Sequence, residues 1–308
     1  MLCQGAAGIG LASLSERGVV LDVWYPEPEL GQFADTGVEW LEAAAVPDRL
    51  RPLIGTHSVC GANIVGVRTT ISDLSVPPRD APEAYLRLHL LSHRMVRPHD
   101  ANFDGIEDLL ADVVWTNHGP VAADEFSGAH RRLRALGPFT VHGVGKLPRM
   151  VDYVIPSGVR IADGACVQLG AHLAPGTTVM SGGFVDYDAG TLGAAIIAGQ
   201  VTEGVVIGDG SDIGGGTGSA VITIGKRCLV GANVVLEISL GNDCVVETGL
   251  HVAADTVVTR ADGSAVPAQT VAGTNNIHLR RNSVTGAVEA LPWHGAGIDL
   301  NAELLANG

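Results

Sequence analysis

Residues 155–179 read IPSGVRIADGACVQLGAHLAPGTTV and break into hexads that each begin with an aliphatic residue: Ile155, Ile161, Val167, Leu173 and Val179. A period of six matches neither the 3.6-residue repeat of an amphipathic helix nor the two-residue alternation of a half-buried strand. It matches a coil with three short faces, each turning one aliphatic side chain inward. Stacked coils pair their strands with those above and below and enclose a narrow aliphatic interior. The spacing returns at Ile207 and Ile213, then at Ile224, Val230 and Leu236. After a four-residue step it continues through Leu240, Val246, Val252 and Val258. Small residues such as Ala162, Gly208, Gly214, Gly231 and Ala253 follow the aliphatic ones, where the chain must bend at a corner. A glycine-rich sandwich would have to produce this spacing by accident.

Between Met180 and Val206 the period breaks, so residues 181–204 (SGGFVDYDAGTLGAAIIAGQVTEG) are expected to form a loop or a looser coil. Residues 1–145 look different. Ile9–Leu14 and Val19–Trp24 read as a hairpin around a turn at Ser15–Gly18. Pro82–Met95 carries apolar residues at helical spacing, with Pro82 suited to a first turn. Further helices are expected at Ile106–Val113 and Ala129–Leu136. Past Val258 the repeat is lost; Arg260–Gln269 reads as a loop and His278–Leu291 as one or two closing strands. The fold class expected is therefore mixed: an N-terminal α/β domain (1–145), a left-handed parallel β-helix of hexapeptide repeats (146–258) and a short C-terminal β extension (259–308).

Composition narrows the function. The chain has 308 residues, 46% hydrophobic but only 4% aromatic, with 41 glycines and a formal net charge of −14. Nucleic acid and anionic membranes bind through clustered Lys and Arg, so neither is expected as a partner. The five cysteines (Cys3, Cys60, Cys166, Cys228 and Cys244) show no CxxC spacing, which argues against a disulfide framework or a zinc knuckle. No basic n-region precedes an apolar stretch, and no run reaches the roughly 18–20 apolar residues of a membrane helix. The expectation is a soluble cytoplasmic protein.

Longer stretches carry a family resemblance. KLPRMVDYVIPSGVRIADGACVQLGAHLAPGTTVM (146–180), VVIGDGSDIGGG (205–216), IGKRCLVGAN (224–233), ISLGNDCVVETGL (238–250) and RRNSVTGAVE (280–289) resemble the tetrahydrodipicolinate N-succinyltransferase family. YLRLHLLSHRMVRPH (85–99) and VVWTNHGPVA (113–122) are similar to its branch with a long N-terminal domain. The resemblance implies a homotrimer with active sites between neighbouring solenoids. It also implies succinyl-coenzyme A, or another acyl-coenzyme A, as donor and a small-molecule amine, a cyclic amino dicarboxylate of lysine biosynthesis, as acceptor.

By the same resemblance, Gly215, Ala232, Glu247, Arg280, Arg281, Asn282 and Ser283 match donor contacts, and Thr248 stands where the family has alanine. Planar guanidinium groups suit phosphate because they bond through two N–H groups at once. Other positions depart. The family's proposed catalytic glutamate corresponds to Ala198, which can neither take a proton nor act as a nucleophile. An arginine corresponds to Gln200, and a phosphate-binding lysine to Pro267. The glycine-rich loop after Gly216 is shorter by about nine residues, removing a backbone donor of a kind worth about 2.7–4 kcal/mol. Two metal-holding carboxylates correspond to Ala165 and Gly182, so no metal is expected.

The base is therefore unassigned. Glu203 and Glu237 are acidic where the family has small residues, and His251 stands where it has an aromatic one. Each is also readable as an ordinary surface group, as is His172. Asp186 and Asp188 replace asparagines and point to a different acceptor. Lys226 and Arg227 read as solvated corner residues, and Gly208–Gly216 as coil corners rather than a phosphate loop. Two functions follow: a coenzyme A-dependent N-acyltransferase with altered catalytic residues, or a non-catalytic or repurposed paralogue. The second would bind a ligand or partner, or perform a different reaction in a specialised biosynthetic pathway.

Overall fold

Inward side chains at a spacing of six build the second half of the chain as a left-handed β-helix. The computed structural model describes residues 4–56, 59–218 and 220–295, so Cys3 and the last part of the expected C-terminal extension lie outside the described residues. Val167, Leu173 and Val179 are fully buried, as are Ile207, Ile213, Ile224, Leu236 and Val252. The coils stack in parallel register: Ile161 pairs with Val179, Val179 with Ile197, Ile197 with Ile213, Ile213 with Val230, and Val230 with Val246. Each step is one inter-strand spacing, about 4.8 Å.

Two expectations need correction here. Ile155 is 84% exposed, so the inward ladder does not start there. Nor does the period break after Met180. Val185, Thr191 and Ile197 are all fully buried at spacings of six, and Val201 follows after a four-residue step. The coil was hidden because Thr191 is polar. Its hydroxyl is satisfied inside the prism by Thr177 Oγ1 at 2.7 Å and by the Ala174 N–H at 3.0 Å. A polar group so paired is tolerated in an apolar interior.

One corner of the prism is left-handed. Gly210, Arg227, Asp243 and Asn276 all have positive φ, and stacked backbone bonds link Arg227 N–H to Asp209 C=O and Asp243 N–H to Lys226 C=O. Arg227 bonds Asp243 through two 2.7 Å contacts, coil to coil. Another corner is crowded. A Cβ on Gly199 would lie 1.6 Å from the Gly215 carbonyl oxygen, closer than any real contact.

The stack is closed by Ile277–Arg281, which pairs in parallel with Val245–Val246 and antiparallel with Val288–Pro292. The region expected as a loop, Arg260–Gln269, instead contributes to a hairpin. Val257–Arg260 pairs with Ala265–Pro267, because the Asp262–Ser264 turn carries Gly263 at φ 84°.

The chain divides between Val154 and Ile155 into two compact units. In the first, Gly5–Leu14 lies between Val20–Trp24 and Asn63–Ile71, all antiparallel, and Gly37–Leu41 extends the sheet. The helix Ala81–Ser92 is capped by Asp80, whose side chain accepts from the Glu83 N–H. Its Tyr85 hydroxyl donates to the Leu21 carbonyl at 2.9 Å. A second antiparallel sheet joins Val113–Thr116 to Gly119–Ala122 and Val141–Gly145, above the helix Phe126–Leu136. The helix expected at Ile106–Val113 is only Ile106–Leu109; the β-branched run from Val113 becomes a strand buried on both faces. Residues up to Val154 belong to this unit: Met150 is fully buried and the Tyr153 hydroxyl donates to Asp22 Oδ2 at 2.5 Å.

Two predictions follow from these contacts. Gly199→Ala should lose about 1–3 kcal/mol or more by overpacking, seen as a lower melting temperature. Gly37→Ala, whose added Cβ meets nothing within 4 Å, should not. The second concerns His89, fully buried with its Nε2 beside the Val23 carbonyl oxygen at 3.1 Å. Burial, and then neighbouring His93, push its pKa down from 6.5 to about 3. Between these values the unfolded chain binds a proton that the folded chain refuses, so stability falls as pH drops through that window. Buried Asp22, raised by desolvation, acts in the opposite sense. The melting temperature should decline from pH 6.5 towards 4, and less steeply in His89→Gln; parallel slopes would contradict this.

Candidate functional site

Corner geometry places many of the residues singled out from sequence in two adjacent columns. Ile197, Ile213, Val230, Val246 and Leu279 are in register, so the residues that follow them also stack. The first column is Ala198, Gly214, Gly231, Glu247 and Arg280. The second is Gly199, Gly215, Ala232, Thr248 and Arg281. Backbone bonds hold the rungs together: Gly214 N–H to Val230 C=O, Gly231 N–H to Val246 C=O and Glu247 N–H to Leu279 C=O. A Cβ on Gly215 would meet the Gly231 carbonyl at 2.7 Å, and one on Gly231 the Thr248 nitrogen at 2.6 Å. The columns are therefore nearly bare backbone between Ala198 and Glu247, with Ala232 and Thr248 exposed. A chain-like ligand could lie along them, with amide edges beside it and guanidinium groups at one end.

Charge at that end is already partly matched. Arg280 Nε donates to Glu289 Oε2 at 2.8 Å, and Asn282 Nδ2 to Glu289 Oε1 at 2.7 Å. The Asn282 amide and the Arg280 guanidinium hold the Glu289 carboxyl below its usual range. Asn282 also shapes the turn, its Oδ1 accepting from the Val284 and Thr285 N–H groups. Arg281 is exposed and donates to the Gly286 carbonyl at 3.2 Å, and Ser283 is exposed beside it. Glu247 Oε1 lies 3.2 Å from His278 Nε2, and the His278 ring packs edge-on against Trp293 at 5.3 Å.

The candidate bases fall in different places. Ala198 is exposed and ends in a methyl group. Glu203 is exposed two residues beyond the Gln200–Val201 strand. Glu237 and His251 come together, Oε1 to Nε2 4.0 Å. His172 is buried with Nδ1 3.0 Å from the Thr191 carbonyl oxygen, a structural placement inside the stack. Asp188 is buried at φ 47°, and Asp186 is half-buried, its Oδ1 accepting from the Tyr187 N–H. Gln200 and Pro267 are exposed, and neither carries a charge. Ala165 and Gly182, also exposed, offer no side-chain donor, so these positions do not fit a metal.

Glu289, His278 and Trp293 escaped the sequence reading. The signal for Glu289 was its place opposite Arg280 in a short hairpin, visible only once the register was known. Trp293 also lines a cleft of about 850 Å³ in the C-terminal extension, together with Arg260, Thr274, Asn276 and His294. No helix among the described residues is long and apolar enough to cross a membrane.

Comparison with known proteins is consistent along the chain. Residues 110–149 match the family model "tetrahydrodipicolinate N-succinyltransferase middle", and residues 221–254 match "hexapeptide repeat of succinyl-transferase". A Salinispora tropica 2,3,4,5-tetrahydropyridine-2,6-dicarboxylate N-succinyltransferase is 48% identical over 314 residues, covering 99% of this chain and 98% of its own. The protein of the same name from Vibrio cholerae serotype O1 is 44% identical over 245 residues, 75% of this chain and 71% of its own. A solved Campylobacter jejuni structure, assigned as a 2,3,4,5-tetrahydropyridine-2-carboxylate N-succinyltransferase, superposes with a TM-score of 0.80. It covers 93% of this chain and 92% of its own at 23% identity, a likeness of fold.

The two arginines should separate in a binding assay. Arg281→Ala should weaken coenzyme A binding about tenfold, with a reduced salt dependence, since a charge-assisted contact is worth about 1.5–3 kcal/mol. Arg280→Ala should cost less, because Glu289 already neutralises that guanidinium. Equal losses in calorimetry would contradict the assignment.

Proposed function

Since the chain belongs to the 2,3,4,5-tetrahydropyridine-2,6-dicarboxylate N-succinyltransferase family, we propose that it transfers the acyl group of succinyl-coenzyme A, or a related thioester, to the amine of a small amino-acid-like acceptor. The observation that carries this reading is the column Gly215, Ala232, Thr248 and Arg281, which starts at a buried glycine, is exposed from Ala232 onward and ends in an exposed guanidinium. The pantetheine arm runs along the strip, its amides meeting the corner backbone. Arg281 takes a phosphate, with Arg280, Asn282 and Ser283 around it. Glu247 stands at the same end, steadied by His278.

Acyl transfer needs an unprotonated amine, donors for the developing oxyanion, and alignment. This chain supplies alignment from a rigid stack. Ala198 supplies no proton acceptor, so the catalytic machinery is altered and the base lies elsewhere. The working assembly in this reading is a cytoplasmic homotrimer, and nucleic acid, membrane and metal have no part in it.

Ala198 also favours a second reading, a paralogue that binds the ligand and transfers nothing. Titration calorimetry with succinyl-, acetyl- and free coenzyme A, followed by a thiol-release assay with amines, distinguishes the two. Under the first reading one acyl form binds at micromolar concentration and thiol release depends on an amine. Ala198→Glu should then raise the rate with the family's acceptor, general bases being worth about 10²–10⁴-fold. Binding without release supports the paralogue, and no binding of any form removes both.

A further inference from the structure

Two residues fourteen apart in sequence, Glu237 and His251, meet on one face of the solenoid. Gly216 pairs with Val235 and Val235 with His251, while Gln200 stands over Gly216 with its Cβ 3.8 Å from the position a Gly216 Cβ would take. These four form a column, exposed at Gln200, Val235 and His251 and half-buried at Gly216, that continues outward from the Gly215–Ala232–Thr248 corner. Beside it lies a second column of Thr217, Leu236 and Val252, all buried. Beyond that, Gly218 donates its N–H to the Leu236 carbonyl at 2.9 Å. The Glu237 side chain folds across Gly218, with Cγ 2.5 Å and Oε1 2.7 Å from where a Cβ would sit. Any other residue at 218 would displace that carboxylate. Lying over the glycine, Oε1 is brought to 4.0 Å from His251 Nε2.

Both positions depart from the family resemblance in a chain that has alanine where the proposed catalytic glutamate stands. The departures are a carboxylate for a small residue and an imidazole for an aromatic one, and their side chains approach to 4.0 Å. We propose that His251 is the general base of acyl transfer, and that Glu237 is the positioning residue that sets its orientation. This rests on the acyltransferase reading above. His251 shares a rung with Thr248, so a thioester lying along the corner column passes beside it.

With Nε2 turned to Glu237, Nδ1 is the ring nitrogen assigned to take the acceptor's proton. The acceptor nitrogen attacks the thioester carbonyl carbon, forming the C–N bond as the C–S bond breaks. The nitrogen's proton passes to His251 Nδ1, and the electron pair of the C–S bond leaves on the coenzyme A sulfur. Returning the proton from Nδ1 to that thiolate restores the neutral imidazole and releases the free thiol. A separation of 4.0 Å without substrate is compatible with this role, since catalytic contacts commonly tighten when the substrate is bound.

The test uses the full-length protein with succinyl-coenzyme A. The acceptors are 2,3,4,5-tetrahydropyridine-2,6-dicarboxylate and a panel of amino dicarboxylates, with thiol release as readout and donor binding followed by calorimetry. His251→Ala should lower kcat about 100-fold or more, leave the donor Kd within about twofold, and recover activity with added imidazole. Glu237→Gln should lower kcat with little change in KM and show no imidazole rescue. Gly218→Val should resemble Glu237→Gln. If His251→Ala keeps kcat within threefold of the parent, the assignment is overturned and the acyltransferase reading stands. A loss of activity with donor binding intact but no imidazole rescue also overturns it, since a structural defect is not repaired by a small base. A parent protein that binds succinyl-coenzyme A but releases no thiol with any amine removes both.

Discussion

Each rung of the solenoid hangs from the next by backbone hydrogen bonds made in the same register, such as Gly214 N–H to Val230 C=O and Gly231 N–H to Val246 C=O. Because the bonded partners repeat at one spacing, the residues beside them must repeat too. A side chain after an inward aliphatic residue is placed, by that bond alone, in a column with its counterparts above and below. Corner approach tightens the constraint, since Gly199, Gly215 and Gly231 each meet the next rung's backbone where a Cβ would stand. Positions far apart in sequence thus become neighbours within one inter-strand spacing, on a frame whose backbone has little freedom to adjust. That is how a strip of backbone ending in Arg281 arises without a pocket to hold it.

The fold was legible wherever the inward residue was aliphatic. Hexads from Ile161 to Val179 and from Ile207 to Val258 carried it, and the helix at Ala81–Ser92 was visible in its own periodicity. Thr191 hid a whole coil, because the hydroxyl pairing that lets it face inward is a tertiary fact. Ile155 misled in the other direction, an aliphatic residue in phase with the repeat but outside it. The helix expected at Ile106–Val113 was drawn too long: it stops at Leu109, and Val113 instead opens a strand fixed by its pairing with Gly119–Ala122 and Val141–Gly145.

Much less of the site was legible. Resemblance named Gly215, Ala232, Thr248 and Arg281 one by one, and only the register made them a column. It also named Arg280 and Asn282, but gave no sign that Glu289 occupies both side chains. Glu237 and His251 were noticed as separate departures, each readable as a surface group. Their proximity depends on a glycine at 218 and on the parallel pairing of Val235 with His251, and neither leaves a trace in local sequence.

The hairpin that ends the solenoid has a consequence for association. A parallel stack terminates in a strand whose outward N–H and C=O groups are unpaired, a template for any other strand. Here the rung at Val245–Val246 is covered by Ile277–Arg281, which turns back and pairs antiparallel with Val288–Pro292. The change from parallel to antiparallel breaks the repeat, and Val288–Pro292 is covered in turn by the hairpin Val257–Arg260 and Ala265–Pro267. This face therefore ends in a short edge strand and not in a coil that another copy could extend by translation along the axis. Solenoids joined end to end would form a fibre; this one is given a stop, and lateral faces are left as the surfaces on which copies can meet.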